Sequence, residues 1–222
     1  MSDRMTKAAV KTGSDLNAIL ADIRACRICV DTPRGKPLPH QPRPVLRVGS
    51  SAKICICGQA PGTRVHASGK PFTDPSGDRL RNWLGMSEEQ FYDTDRVAII
   101  PMGFCFPGPD SKGGDLPPRR ECAERWRAEL FTRLPQFRLV LLVGLYAQKW
   151  HLGESAKGNL TDTVAAWRRY AETDGATRYI PLPHPSWRNN AWIRKNPWFE
   201  TDLLPFLRGE IARLMGGQIA RP

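Results

Sequence analysis

Strand-length apolar runs alternate with helical segments along this chain, and no other feature of the sequence constrains the fold as much. The runs cover residues 52–58, 96–104, 137–144 and 177–183. They are nearly continuously hydrophobic and rich in isoleucine and valine, which is typical of strands covered on both faces. Segments with helical periodicity follow them, at residues 77–85, 119–134, 160–171 and 197–215. The alternation predicts an α/β fold, a three-layer α/β/α sandwich with a central, mainly parallel four-stranded sheet.

A single domain accounts for the 222 residues, because this length is enough to bury a core of ordinary size. We predict that the domain spans residues 14–216 and that residues 1–13 form a flexible leader. The leader has no apolar core, so it is not expected to be a secretory signal. We therefore expect a cytoplasmic protein whose six cysteines are reduced, and we expect it to be a monomer. Pro205 predicts a kink or break in the last helical segment.

Unusual loops follow three of the four predicted strands. Their sequences are GQAPGTRVH, MGFCFPGPDSKGGDLPP and HPSWRNN. Ligands of parallel sheets bind at the carboxyl ends of the strands, on the loops that leave them. We expect these three loops to gather at one edge of the sheet and to carry the chemistry.

The charge balance favours a polyanionic partner. Lysine and arginine number 33 against 22 aspartates and glutamates, which gives a formal net charge of +11. Excess positive charge concentrates polyanions and suits contact with a phosphate backbone. Charge alone leaves open a basic protein that binds no nucleic acid.

Four cysteines have the spacing of a metal site. Cys26 and Cys29 form a C-x2-C pair at the end of a helical segment, Cys105 follows the second strand, and Cys122 lies in the next helix. Four thiolates suit tetrahedral zinc or an iron–sulfur cluster, and four unrelated reduced cysteines are the alternative. The remaining two cysteines alternate with isoleucines in the first strand, so we predict that they are small core residues.

The motifs GQAPG, KPFTDPSGD and HPSWRNN, in this order and with this cysteine pattern, resemble the uracil-DNA glycosylase superfamily over about residues 17–210. The resemblance implies a monofunctional DNA-repair glycosylase. Such an enzyme flips a deaminated base, here uracil first of all, out of DNA, hydrolyses its N-glycosidic bond and leaves an abasic site. The cysteine order is similar to that of the iron–sulfur branches. It implies a structural [4Fe–4S] cluster, with zinc as the alternative occupant, on Cys26, Cys29, Cys105 and Cys122.

The resemblance also implies roles for individual residues. His184, held between two prolines, would donate a hydrogen bond to the departing base. The residues that would surround the base are Phe72, as its stacking partner, with Gly58, Ala60, Met102 and Gly103. Candidates to orient the attacking water are Gln59, Asp74 and Asp78, although Asp78 has a helix cap as its alternative role. The expected DNA contacts are Ser186, Trp187, Arg188, Asn189 and His66, and the Trp-Arg-Asn tip is expected to enter the base stack.

Two departures from the family pattern leave the base specificity open. Many members have an aspartate where this chain has Ala60, and the iron–sulfur branches often have an acidic residue where it has Gln59. Several branches also read the uracil edge with an asparagine near the end of the second strand, where this chain reads IIPMGFC. Two alternatives therefore stay open. One is a nucleic-acid-binding protein with a structural metal and no catalysis, and the other is a relative that acts on hypoxanthine or xanthine or traps DNA covalently.

Overall fold

The computed structural model describes residues 12–111, 113–172 and 175–216, so most of the predicted leader lies outside the described residues. Four short strands form the sheet: β1 Ile54–Cys57, β2 Val97–Ile99, β3 Leu139–Val143 and β4 Arg178–Leu182. All neighbouring pairs are parallel, and the strand order is β2-β1-β3-β4. The predicted fold class, with its four-stranded parallel sheet, is confirmed.

Each strand is shorter than the apolar run that predicted it. The second run continues to residue 104, but β2 ends at Ile99, because Pro101 has no N–H with which to extend a ladder. Backbone pairing with the chain after β1 nevertheless continues. The amides of Ile100 and Met102 donate to the carbonyls of Ile56 and Gly58 at 2.9 Å each.

Eleven α-helices lie within the described residues. They are α1 Thr12–Arg24, α2 Ile28–Asp31, α3 Thr63–Ser68, α4 Pro75–Leu84, α5 Glu88–Tyr92, α6 Arg120–Thr132, α7 Leu145–Leu152, α8 Leu160–Ala165, α9 Trp167–Ala171, α10 Asn190–Lys195 and α11 Leu204–Leu214. None of the helices in these parts of the chain has the length and apolar character needed to cross a bilayer.

Two of the predicted helices are interrupted. The segment 160–171 is divided into α8 and α9 at Ala166. The last segment contains a π-helical turn, Phe199–Leu203, directly before α11, and Pro205 lies in the first turn of α11. Proline is tolerated there because the first amides of a helix have no intrahelical acceptor. The break expected at Pro205 is therefore a change of helix type just before it.

Side chains alternate between the two faces of the sheet and build one core on each. Ile54 and Ile56 of β1 point into the first core, against α4, α8, α9 and α11. Cys55 and Cys57 point into the second core, against α1, α6 and α7. Both cysteines are fully buried, as predicted for small core residues, and their Sγ atoms are 3.7 Å apart.

A buried arginine connects α6 to the end of β2. Arg127 is 1% exposed, and its guanidinium donates to the carbonyls of Ile100 at 3.3 Å and Pro101 at 3.0 Å. Its Nε also donates to Nε2 of His151 at 2.9 Å. These bonds hold the segment that leaves β2 at the edge where the chemistry is expected.

Arg127→Met should lower the free energy of unfolding by about 1–3 kcal/mol, because two buried carbonyls lose their donor. Urea denaturation of the purified variant measures this change. Arg120→Met, on the exposed start of the same helix, is the matched control and should change it by less than about 0.5 kcal/mol. Equal stabilities of the two variants would contradict the anchoring role of Arg127.

Candidate active site

The loops that leave β1, β2 and β4 meet at one edge of the sheet around a cleft of about 580 Å³, here called the edge cleft. The loop at residues 69–74 closes one side and is here called the phenylalanine loop. The polar and aromatic residues that line the cleft are Gln59, Phe72, Asp74, Ser76, Asp115 and His184. The structure thus brings together residues that are far apart in the sequence, as the loop argument predicted.

His184 follows β4 and is held in a defined tautomer. Pro185 has no N–H, so the next backbone donor is Ser186, whose amide donates to Nδ1 of His184 at 3.3 Å. The Nδ2 of Asn189 donates to the carbonyl of His184 at 2.6 Å. Because Nδ1 accepts a hydrogen bond, the neutral imidazole carries its proton on Nε2. His184 therefore offers an Nε2–H donor to the edge cleft.

The environment keeps this imidazole neutral. Burial lowers the pKa of His184, and the positive charge of Arg188 lowers it further, while Asp74 opposes the shift. At neutral pH the ring is thus an uncharged hydrogen-bond donor. A preorganised neutral donor is effective in a site from which water is excluded.

The phenylalanine loop has a strained backbone. Phe72 has a φ of 56°, a left-handed conformation that costs free energy in a residue with a side chain. Its carbonyl accepts hydrogen bonds from Tyr92 Oη at 3.1 Å and Arg81 at 3.3 Å. A Cβ on Gly77 would lie 1.9 Å from this carbonyl oxygen, so only glycine fits there. The strain places the Phe72 ring beside Gly58, where an added Cβ would lie 3.4 Å from its Cζ.

Of the residues predicted around the base, Gly58 and Ala60 line the edge cleft together with Phe72, but Met102 and Gly103 do not. The backbone amides of Met102 and Gly103 donate to the carbonyls of Gly58 and Gln59 at 2.9 Å each. This pairing turns the Met102 side chain into the second core. From the same segment, Ile99 and Pro101 line the cleft instead.

The three candidates for orienting water have different surroundings. The Asp74 Oδ1 accepts from the amide of Gly77 at 3.1 Å and caps α4. Asp78 is exposed, pairs with Arg81 and does not line the cleft. The cap is thus Asp74, and Asp78 lies outside the site. Gln59 lies against Gly144, where a Cβ would be 2.6 Å from its Nε2.

Two residues of the predicted DNA-binding tip point outward. Trp187 is 71% exposed, and the guanidinium of Arg188 lies 5.7 Å from the centre of its ring. Asn189 instead turns inward to bond His184, and Ser186 contributes its backbone amide to the same histidine. Asn189 thus holds the backbone of His184, and Ser186 holds its ring.

His66 lies in α3 outside the edge cleft. Its ring is 4.1 Å from that of His40 and 5.9 Å from that of Phe106, measured between ring centres. Burial lowers the pKa of His66. The contact of His66 with DNA stays a prediction.

Sequence reasoning missed Asp115, which lies in the long loop between β2 and α6 and lines the edge cleft. Its Oδ2 is 2.9 Å from the position of a Cβ on Gly62, the last residue of GQAPG. The sequence indicated only that the loop containing Asp115 lies at this edge of the sheet. Which of the many side chains in that loop faces the cleft is not encoded by local spacing.

A second, smaller cavity of about 250 Å³ lies away from the edge cleft. Its lining includes all four predicted ligands, Cys26, Cys29, Cys105 and Cys122, and we call it the cysteine cavity. Trp126 Nε1 donates to the Cys26 sulfur at 3.2 Å, and the amide of Phe104 donates to the Cys122 sulfur at 3.3 Å. Such donors stabilise thiolate charge. All six cysteines are free.

Across the described ranges, no group of three or more His, Cys, Asp or Glu side chains is placed to hold one metal ion. Tetrahedral zinc and an iron–sulfur cluster both take four thiolates, so the residue types at the cysteine cavity suit either group.

The comparison with protein families adds an independent finding. A family model described as the uracil DNA glycosylase superfamily matches residues 47–208. The match includes the whole sheet and every loop that lines the edge cleft. Of the cysteine cavity it includes Cys105 and Cys122, while Cys26 and Cys29 precede it.

The neutral Nε2–H tautomer of His184 should be visible by NMR. We expect the ¹⁵N shifts of an imidazole protonated at Nε2, and a pKa below the usual value of 6.5 because the protein buries the ring. A pH titration of ¹⁵N-histidine-labelled protein measures both, with His184→Gln identifying the signal. A proton on Nδ1 is incompatible with a hydrogen bond from the Ser186 amide to that nitrogen. An Nδ1–H signal would therefore contradict the assignment.

Proposed function

Because the chain belongs to the uracil DNA glycosylase superfamily, we propose that it excises a deaminated base, uracil first of all, from DNA. Hydrolysis of the N-glycosidic bond would leave an abasic site for base excision repair. The observation that carries this proposal is the pairing of an Nε2–H donor on His184 with the Phe72 ring in one edge cleft. We further propose that the protein acts as a monomer on nucleoid DNA in the cytoplasm.

The exposed tip suits the first step, in which the target nucleotide leaves the base stack. Flipping costs a few kcal/mol, and a side chain that fills the gap offsets part of this cost. Trp187 presents a large ring to solvent, and Arg188 beside it adds a charge for the phosphate backbone. The formal net charge of +11 supports binding to the backbone in general.

The edge cleft suits the flipped base. The Phe72 ring is fixed by its backbone and offers a stacking surface, and aromatic stacking accepts any base. The residues of β2 and the segment after it that line the cleft, Ile99 and Pro101, have apolar side chains, so the polar edge of the base would be read by backbone groups. We therefore propose a range of deaminated bases that includes uracil rather than strict uracil specificity.

The chemistry would follow from charge development as the bond breaks. Positive charge grows on the sugar, which passes through an oxocarbenium-like state, and negative charge grows on the departing base. The His184 Nε2–H would donate a hydrogen bond to the base oxygen that gains this charge. Such a donor typically contributes about 10²–10³ to the rate. No lysine lines the edge cleft among the described residues, which supports simple hydrolysis without a covalent intermediate.

We also propose that Cys26, Cys29, Cys105 and Cys122 hold a [4Fe–4S] cluster with a structural role. The cysteine cavity and its N–H donors to sulfur support a metal group at this place, and the likeness of the cysteine order to the iron–sulfur branches favours the cluster over zinc. The cluster would join the end of α1, α2, the loop after β2 and α6. This junction would brace the loop that borders the edge cleft.

The protein should release uracil from a labelled oligonucleotide, and alkali should then cut the strand at that site. His184→Ala should lower the single-turnover rate by about 10²–10³-fold, because the departing base loses its donor. DNA affinity should stay close to that of the wild type. Oligonucleotides with hypoxanthine and xanthine test the proposed range of bases.

The controls separate the remaining possibilities. DNA binding without release of any base would favour a non-catalytic nucleic-acid-binding protein. A product that stays attached to the protein under denaturing conditions would indicate covalent trapping. Release of hypoxanthine or xanthine without uracil would contradict the proposed main substrate.

Anaerobically purified protein should be brown, with about four iron and four sulfide per chain. Cys105→Ser should lose iron, visible absorbance and thermal stability together. Cys55→Ala, in the second core and outside the cysteine cavity, is the matched control and should keep the iron. Stoichiometric zinc in colourless protein would exclude the cluster, and protein without any metal would exclude the site.

A further inference from the structure

The loop after β1 carries no carboxylate that is able to activate water. Positions 59 and 60 are glutamine and alanine, and a glutamine amide orients a water molecule without accepting its proton. Two carboxylates line the edge cleft, Asp74 and Asp115. The two carboxylates differ in the hydrogen bonds that their oxygens accept.

One oxygen of Asp74 is committed to the backbone. Its Oδ1 accepts from the amide of Gly77 and caps α4, and this cap holds the turn on which Phe72 depends. Its charge also raises the pKa of His184. Asp74 therefore positions the phenylalanine loop and shapes the field in the cleft.

Asp115 is presented by a closed turn. The amide of Asp110 donates to the carbonyl of Gly114 at 2.8 Å, and the amide of Leu116 donates to the carbonyl of Gly108 at 2.9 Å. Asp115 forms an isolated β-bridge with Pro109. This small hairpin holds the Asp115 carboxylate against the Cα of Gly62. No hydrogen bond or ion pair from the described part of the chain satisfies that carboxylate.

The charges around Asp115 make its carboxylate more basic than usual. Asp115 is exposed at the rim of the cleft. Its partial burial raises the pKa of its carboxyl, and the negative charges of Asp74 and Asp110 raise it further. Arg188, from the loop after β4, opposes the shift. A carboxylate with a raised pKa is a stronger base.

We propose that Asp115 is the catalytic residue that holds the attacking water and accepts its proton, a role that rests on the proposed glycosylase function. The bond between C1′ and the base nitrogen breaks, and its electron pair leaves with the base. The water oxygen bonds to C1′, and one water proton passes to the Asp115 carboxylate. The base anion, hydrogen-bonded by His184, takes a proton from solvent on release.

In this proposal Asp115 takes the role that the family resemblance assigns to a carboxylate in the loop after β1. Asp115 comes from the loop after β2, and its Oδ2 would lie 2.9 Å from a Cβ added to Gly62 in the loop after β1. Gln59 lines the same cleft, and its amide would orient the water. Asp115 would thus replace the acidic side chain that positions 59 and 60 lack.

Asp115→Asn should lower the single-turnover rate of base release at saturating DNA by about 10²-fold or more, with unchanged affinity for uracil-containing DNA. Asp95→Asn, which replaces an exposed carboxylate outside the edge cleft, is the matched control and should keep the wild-type rate. Asp115→Glu should recover part of the activity. Formate added to Asp115→Ala should also restore part of the rate, which a purely structural role would not allow.

The pH profile provides a separate readout. The wild-type rate should fall as pH drops through the raised pKa of Asp115, because protonation removes the base, so this acid limb lies above the usual aspartate value of 3.8. In Asp115→Asn this acid limb should disappear. His184→Gln should lower the rate at every pH but should keep the acid limb.

The outcomes distinguish this inference from the proposed function. If the wild type releases base and Asp115→Asn keeps its rate and acid limb, Asp115 is not catalytic and the glycosylase function stands. If Asp115→Ala folds and binds DNA but formate restores nothing and Asp115→Glu is inactive, the role is structural. If the wild type releases no deaminated base, the proposed function fails first, and the catalytic role of Asp115 fails with it.

Discussion

Parallel backbone pairing between β1 and its neighbours is the constraint on which the site depends. Because all four strands are parallel, their carboxyl ends open onto one edge, and the loops after β1, β2 and β4 have to meet there. The pairing extends beyond the strands, through bonds from Met102 and Gly103 to the carbonyls of the loop after β1. Arg127 holds the segment after β2 in place by hydrogen bonds to its carbonyls. The edge cleft is thus a continuation of the sheet.

Within this frame the two central side chains are oriented through their own backbone, which neighbouring side chains hold in place by hydrogen bonds to its carbonyls. Phe72 is forced into a left-handed conformation that only a glycine at position 77 can accommodate. His184 is flanked by prolines, and the first available amide after it, on Ser186, selects its tautomer. Such backbone-imposed orientation preorganises a site, because little conformational freedom remains to be lost when a substrate binds.

The cysteine cavity and the edge cleft share structural elements. Cys105 and Asp115 lie on the same loop between β2 and α6, so a group bound at the cysteines would restrain the segment that carries the proposed catalytic carboxylate. Arg43, between the cavity-lining Pro42 and Pro44, donates to the carbonyls of His66 and Ala67 in α3 at 2.7 and 2.8 Å. In our proposal the cluster therefore braces catalysis indirectly, by fixing two loops of the cleft.

The sequence by itself determined the fold class, the four strands and the edge at which the loop with His184 lies, because apolar periodicity records local backbone geometry and burial. The place of Phe72 at that edge was an expectation from the family resemblance. Only the tertiary structure decided which side chains of the long loops face the cleft. It turned Met102 into the core, Asn189 onto His184 and Asp78 into solvent, and it brought Asp115 against Gly62. Those directions depend on contacts between loops that are distant in sequence, and no local pattern of residues encodes them.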